Sequence, residues 1–218
     1  MTDQVNFARL LAAGAATVSD ALDKLGIDGA CLGIRPVDPG FRLVGRARTV
    51  RYAPSGSRKG TVGDYIDDYV EGTVAVLDNA GRKDATVWGD ILTEYATAHH
   101  LAGTVIDGVC RDSALCAHLG YPIYSRDVYM RTGKDRVQVE ELDGPVSIGG
   151  IRVEPRDVLV GDRDGVLVIP AGRLEEVCDV ADSIAEIEDR IREDVRQGAR
   201  LAEARAAHGY HALQTRAT

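Results

Sequence analysis

Two short stretches of the chain combine residue types that could do chemistry together. Arg111-Asp112 follows the apolar run Gly103-Thr-Val-Ile-Asp-Gly108, where a predicted strand gives way to a predicted helix. Open α/β layers place ligands at the carboxyl ends of their strands. A carboxylate there can hold a hard cation, and the adjoining guanidinium can hold an anion. An Arg-Asp pair also serves as an ordinary helix-capping salt bridge, which is its commoner role. The second stretch, Trp88-Gly89-Asp90-Ile91-Leu92, is another loop-to-helix transition. Unpaired N–H groups at a helix start bind carboxylates, and Gly89 would let a ligand approach the main chain closely. Asp90 alone suits the positive end of a helix dipole. That Asp90 and Arg111 both fall at the tops of adjacent strand–helix units raises the reading of a shared site.

Other chemistries find no support. There is no Gly-x-x-x-x-Gly-Lys-Ser/Thr phosphate loop, no Gly-x-Ser-x-Gly turn and no Gly-x-Gly-x-x-Gly after a strand. Cys31, Cys110, Cys116 and Cys178 form no Cys-x-x-Cys pair, so they read as buried reduced thiols rather than a zinc site. His99 and His100 are neighbours on a predicted helix and point apart, so they read as surface residues. His208 and His211 read as solvated tail residues. The net charge of −8 disfavours an electrostatic nucleic-acid binder. No apolar run is long enough to span a bilayer, and the start MTDQVNFARLL lacks the basic flank of a signal peptide. A soluble, cytoplasmic protein is expected. With 44% hydrophobic residues in 218, one large domain with a real core is expected over 1–218.

The elements that must position these residues follow from periodicity. Thr17-Val-Ser-Asp-Ala-Leu-Asp-Lys-Leu-Gly26 reads as a helix, with Thr17 capping its front and Gly26 stopping it. Val44 to Tyr52 reads as a strand, and Ala53 to Gly60 as a polar loop. Thr73–Asp78, Gly103–Gly108 and Tyr121–Tyr124 read as strands alternating with helices over Trp88–His100 and Arg111–Gly120, which implies a parallel layer. Arg136–Val146 and Ile148–Val153 alternate like antiparallel strands. Asp157–Asp162 and Gly165–Pro170 flank a tight turn. Ala171 to Arg205 reads as one long helical region whose stripe runs Leu174, Val177, Ile184, Ile187, Ile191, Val195. That stripe, on a chain with strands enough for a core, is expected to pack on a neighbouring subunit.

Asp90, twenty intervening residues and then Arg111-Asp112 resemble the Asp-x20-Arg-Asp signature of the RraA-like family. Thr17–Gly26, Ala102–Asp112 and Val160–Pro170 resemble it as well, so the likeness covers most of the chain. The resemblance implies a swivelling β/β/α-type α/β fold of mixed parallel and antiparallel layers, and a homotrimer or dimer of trimers. Enzymes of this family include 4-hydroxy-4-methyl-2-oxoglutarate/4-carboxy-4-hydroxy-2-oxoadipate aldolase; other members regulate ribonuclease E and lack the acids. It implies Asp112 as the direct ligand of Mg²⁺ or Mn²⁺, and Arg111 as the contact of a pyruvyl keto oxygen. It implies the amides of Ile91 and Leu92 as the seat of the pyruvyl carboxylate, and Asp90 as partner of a water on the metal. It places Glu188 of a neighbouring subunit, with Glu186 as alternative, over the metal's waters. The expected activity is a metal-dependent, pyruvate-releasing retro-aldol lyase with oxaloacetate decarboxylation as a side activity. A decarboxylase or lyase of another 2-oxo acid and a non-catalytic ribonuclease regulator stay as alternatives.

Overall fold

The structure is a computed structural model that describes residues 3–57, 60–210 and 213. Its centre is four parallel strands in the order β5-β4-β3-β2: β2 (Leu43–Pro54), β3 (Thr73–Asp78), β4 (Gly103–Cys110) and β5 (Ile123–Val128). Every residue of β4 is buried, as is all of β3 up to Asp78. Continuous apolar runs of this kind suit parallel strands covered on both faces. The antiparallel β9 (Val158–Asp162) and β10 (Gly165–Ile169) extend the sheet beyond β2, and β6 (Val137–Leu142) pairs with the far end of β2. At the opposite edge β1 (Arg35–Pro36) pairs with β5, and an Ala30–Leu167 bridge carries the chain back to β10. The sheet is thus curled almost into a barrel.

Three packed regions result. Inside the curl, Val76, Val105 and Leu159 meet the hairpin β7–β8 (Val146–Ile148, Ile151–Val153). On one outer face α2 (Asp90–Ala98) and α3 (Ser113–Leu119) cover Leu77 and Ile106, with Trp88, Ala96 and Cys116 buried among them. On the other side α1 (Asp3–Lys24) and α4 (Leu174–Arg196) close over β9 and β10. α3 follows β4 after a two-residue link and stops at Gly120, whose φ of +68° is the left-handed conformation glycine adopts without strain. The expected mixed α/β fold is therefore present, with its parallel strands where the sequence put them. No helix among the described residues is long and apolar enough to cross a membrane.

Several expectations need correction. The first helix begins at Asp3, and Thr17 is buried within it rather than capping it. It bends at Gly14 (φ 80°, ψ 161°), where Ala15 N donates to Asp162 Oδ2 at 2.8 Å. A carboxylate remote in sequence thus caps the second half of α1. The predicted helix over 171–205 is interrupted: a 3₁₀ turn (Ala171–Arg173) precedes α4, and Gly198 (φ +97°) separates α4 from α5 (Leu201–Ala207). The first half of the apolar stripe of α4 is packed within the chain. Leu174, Val177, Cys178, Ala181 and Ile184 pack against Leu10, Val18 and Ala21 of α1, while Ile187, Ile191 and Val195 lie beyond that cluster. Val195, at the end of the helix, is exposed. His99 and His100 are exposed as expected, with the His99 ring stacked on Tyr95. His208, read as solvated, is half-buried and bonded through Nε2 to Asp194 Oδ2 at 2.7 Å. His211 lies outside the described residues.

All four cysteines are buried and unpaired. Burial pushes the Cys31 and Cys110 thiols up to about 12 and Cys178 to about 11, and raises Cys116. Only a thiolate attacks a disulfide reagent, so a raised pKa and burial act together to protect these groups. The native protein at pH 8 is expected to react with less than about one equivalent of 5,5′-dithiobis(2-nitrobenzoate), and unfolding in guanidinium should release all four thiols. Rapid labelling of the native protein would contradict this packing.

Candidate functional site

The two strand-to-helix junctions meet in space. β3 and β4 are adjacent and parallel, with Asp78 beside Asp107, so the segments after them emerge at one edge of the sheet. The longer one, residues 79–89, must fold back across the end of β4. Asn79 N donates to Asp107 O, Asn79 Nδ2 donates to Ala85 O, and Thr86 forms bridges with Val109 and Thr132. The segment ends at Trp88, whose carbonyl accepts Arg111 N at 3.1 Å.

Asp90, Arg111 and Asp112 converge there. Asp112 Oδ2 accepts from Asp90 N at 3.2 Å and lies 3.1 Å from Arg111 Nε. Both side chains of the Arg111–Asp112 pair are about one-third exposed. Gly89 matters for a different reason than the sequence suggested. A Cβ at that position would stand 2.8 Å from Asp112 Oδ2 and 3.1 Å from Arg111 Nε. The bare Cα makes room for the pair itself. Asp112 adopts φ +55°, ψ +32°, a left-handed conformation costly for a residue with a Cβ.

The amides at the start of α2 are partly engaged by the site's own acids. Asp90 N serves Asp112, and Ile91 N donates to Asp90 Oδ1 at 2.8 Å. Leu92 N has no partner among the described residues. Ile91 is 78% exposed, so its main chain is within reach of a ligand. A cleft of about 250 Å³ opens over Trp88–Leu92 and Arg111. That is below the usual range for drug-sized ligands and suits a small acid.

The far walls of the cleft are Val62-Gly63 and Thr132-Gly133-Lys134. Sequence reasoning missed both, because nothing local ties them to residues 88–112. Lys134 is exposed, and no ion pair engages its ammonium among the described residues. Gly133 is held against Thr86, whose carbonyl oxygen would lie 2.2 Å from a Cβ there, and this close approach places Lys134 on the rim. Thr93, buried behind the site, was missed as well, although it lies one helical turn past Gly89.

The donor set suits a hard divalent cation. Asp112 Oδ1 has no hydrogen-bond partner among the described residues, Asp90 is close by, and no group of three or more His, Cys, Asp or Glu is assembled among those residues. Magnesium is usually held by one or two carboxylates while water and substrate complete its shell, so these residues fit it. Glu188 and Glu186 stand apart. Glu188 is on α4, bonded to Arg192 at 2.7 Å, and Glu186 is exposed, 3.9 Å from Arg190. Neither has a hydrogen bond or ion pair to Asp90, Arg111 or Asp112 within the chain, among the described residues.

The chain is similar to known proteins over most of its length. The chain is 38% identical over 206 residues to the protein DlpA of Legionella pneumophila, covering 93% of this chain but only 33% of DlpA. It thus spans about a third of that relative's length. It is 34% identical over 160 residues to a Halalkalibacterium halodurans protein named "Putative 4-hydroxy-4-methyl-2-oxoglutarate aldolase", covering 73% of this chain and 74% of that one. The crystal structure of an uncharacterized protein from Pseudomonas syringae pv. tomato superposes with a TM-score of 0.86 at 40% identity, over 93% of this chain and 97% of that one. The RraA-like family, described as Aldolase/RraA, matches residues 15–168. The chain belongs to the RraA-like family.

Proposed function

We propose that the protein is a divalent-metal-dependent lyase that cleaves a 4-hydroxy-2-oxo acid by a retro-aldol reaction and releases pyruvate, with oxaloacetate decarboxylation as a side activity. The observation that carries this reading is the convergence of Asp90, Arg111 and Asp112 within 3.2 Å contacts at the mouth of a small cleft. The relatives named as aldolases of this substrate type support it. A member of the non-catalytic kind would have no need of such an assembly.

The chain's own residues account for the chemistry as follows. The substrate carboxylate sits at the N-terminus of α2, where Leu92 N is available and Ile91 N becomes so when Asp90 turns away. The Arg111 guanidinium lies beside the keto oxygen and stabilises the negative charge that grows there. Asp112 holds the cation, Mg²⁺ or Mn²⁺, which when bound supplies Lewis acidity at the 2-oxo acid's oxygens. The Asp90 carboxylate, released from Ile91 N, orients a water through which it takes the proton from the C4 hydroxyl and later returns it to C3. As that proton leaves, the C4 oxygen becomes a carbonyl, the C3–C4 bond breaks and its electron pair becomes the pyruvate enolate. Protonation at C3 completes pyruvate. In oxaloacetate the same bond pair is released with CO₂ as the leaving group. The substrate pocket binds no nucleic acid and no lipid in this reading; its ligand is a small 2-oxo acid.

We extend the proposal to the assembly. The active form is a homotrimer or a dimer of trimers, and Glu188 of a neighbouring copy reaches the waters around the cation, with Glu186 as the alternative. Glu188 is free to do so only by leaving Arg192 of its own helix.

Three outcomes are expected. Pyruvate release from oxaloacetate and from 4-hydroxy-2-oxo acids, followed with lactate dehydrogenase, should vanish on exhaustive chelation and return with Mg²⁺ or Mn²⁺. Full activity after chelation removes the metal from the proposal. Arg111→Lys keeps the charge but loses the planar fork, and should lower kcat about 10²–10³-fold. Near-normal kcat would reduce Arg111 to a structural partner of Asp112. Co-assembled Asp112→Ala and Glu188→Ala subunits, each inactive alone, should recover activity where one interface receives both native groups. Mixed oligomers of demonstrated composition with no recovery would contradict the shared site.

A further inference from the structure

Behind the cleft, the Thr93 side chain is a junction that the proposed reaction leaves unexplained. It is fully buried, and its Oγ1 has three neighbours. It accepts from the Trp88 indole Nε1 at 2.9 Å, donates to Gly89 O at 2.8 Å, and lies 3.2 Å from Cys116 Sγ. A hydroxyl has one proton, and Gly89 O takes it, so toward Oγ1 the Cys116 thiol can act only as a donor; Arg111 O, at 3.9 Å from Sγ, is the other acceptor within its reach. Thr93 N also donates to Gly89 O at 3.0 Å.

These contacts reach the site by two routes. The Gly89–Asp90 peptide is planar, so fixing its carbonyl fixes its N–H in the opposite direction. That N–H is the one that holds Asp112 Oδ2 at 3.2 Å. The second route runs through Trp88. Its ring lies between the Thr93 bond and the parallel face of Tyr121, at 6.1 Å between centroids and 6° between planes, and its carbonyl accepts Arg111 N. Thr93 therefore touches neither Arg111 nor Asp112, yet one hydroxyl restrains the main-chain group that orients each of them.

We infer that Thr93 is a positioning residue for the Arg111–Asp112 pair, acting through the Gly89–Asp90 peptide and the Trp88 ring. This rests on the lyase reading, because it assigns Thr93 a role in aligning the groups that receive the pyruvyl unit. Trp88 is the protein's sole tryptophan, so its emission reports on this junction directly.

The test compares Thr93→Val, which keeps the shape and removes the hydroxyl, with Thr93→Ser, which keeps the hydroxyl and removes the methyl. The probe is oxalate in the presence of Mg²⁺, a planar dianion shaped like pyruvate enolate, titrated by Trp88 emission. Thr93→Val should shift the emission of the free protein, weaken oxalate roughly tenfold or more, and lower kcat for oxaloacetate more than it raises KM. Thr93→Ser should lose thermal stability through its missing buried methyl, yet keep oxalate affinity and kcat within about threefold of the parent. A purely structural Thr93 makes both variants lose function in step with melting temperature. That result, or a Thr93→Val protein with parental oxalate affinity and kcat, overturns the inference. Should Thr93→Val not fold, Trp88→Phe removes the indole donor together with part of the buried ring and is judged against its melting temperature: a kcat lowered well beyond what the loss of stability accounts for supports the inference, and a kcat that is unchanged or falls only in step with stability overturns it. A parent protein that binds no oxalate and releases no pyruvate instead overturns the lyase reading, and this inference with it.

Discussion

One hydrogen bond, from Arg111 N to Trp88 O, splices the two strand-to-helix junctions on which the site depends. Without it residues 79–89 would be an ordinary connection between β3 and α2. With it, the connection is drawn across the carboxyl end of β4, and the first turn of α2 is set beside the first turn of α3. Much of the surrounding structure serves to permit that bond. The parallel register of β3 and β4 brings their ends level, and Thr86 adds bridges to Val109 and Thr132. Gly108 leaves space where a Cβ would stand 3.0 Å from Asn79 Cβ. The stacked Trp88 and Tyr121 rings then fill the space behind the splice, with Tyr121 Oη bonded to Thr104 Oγ1 at 2.9 Å.

Two departures from comfortable local structure mark the same place. Asp112 stands in the left-handed region at the N-cap of α3 yet makes no capping bond with its side chain. Residues kept in such conformations without local recompense are commonest at functional sites, where the surroundings hold them. Here the turned backbone sends the carboxylate to Asp90 N and Arg111 Nε instead of to its own helix. Gly89 is the matching concession on the other junction, since any side chain there would meet Asp112. The structural alternative of a capping salt bridge is thus weakened on its own terms: the acid is at the cap position and does not cap.

How much of this was legible in the sequence depends on the range of each interaction. The strands over 73–78 and 103–108 were legible because both-face burial writes an unbroken apolar run, and the helices between them because their period is local. That Asp90 and Arg111 come close together was legible from βα alternation, which puts both at the tops of adjacent strand–helix units. The end of α1 was legible at Gly26, but its bend was not, because the cap on Ala15 comes from Asp162. The stripe of α4 was legible but its cover was not: periodicity shows that a face is apolar, not which surface covers it, and α1 covers its first half, Leu174 to Ile184. Lys134 was invisible for the same reason. Its place on the cleft is decided by Gly133 approaching Thr86, a contact between residues 47 apart in sequence.

Charge at short range explains how an acidic protein can receive an acidic ligand. The net charge of −8 is spread over the molecule, and at physiological ionic strength a charge farther than about 8 Å is largely screened. What an anionic ligand entering the cleft would meet is the local set: Arg111, Lys134 and the positive end of α2 against Asp90 and Asp112. The two cations and two carboxylates cancel, and the helix end adds roughly half a charge. Against so small a local charge both a singly and a doubly charged acid gain little. A divalent cation on Asp112, as proposed, would raise the balance to roughly +2.5, which favours a doubly charged acid. The proposed cation, rather than the side chains alone, is thus what would let this cleft prefer a ligand with two carboxylates over one with a single carboxylate.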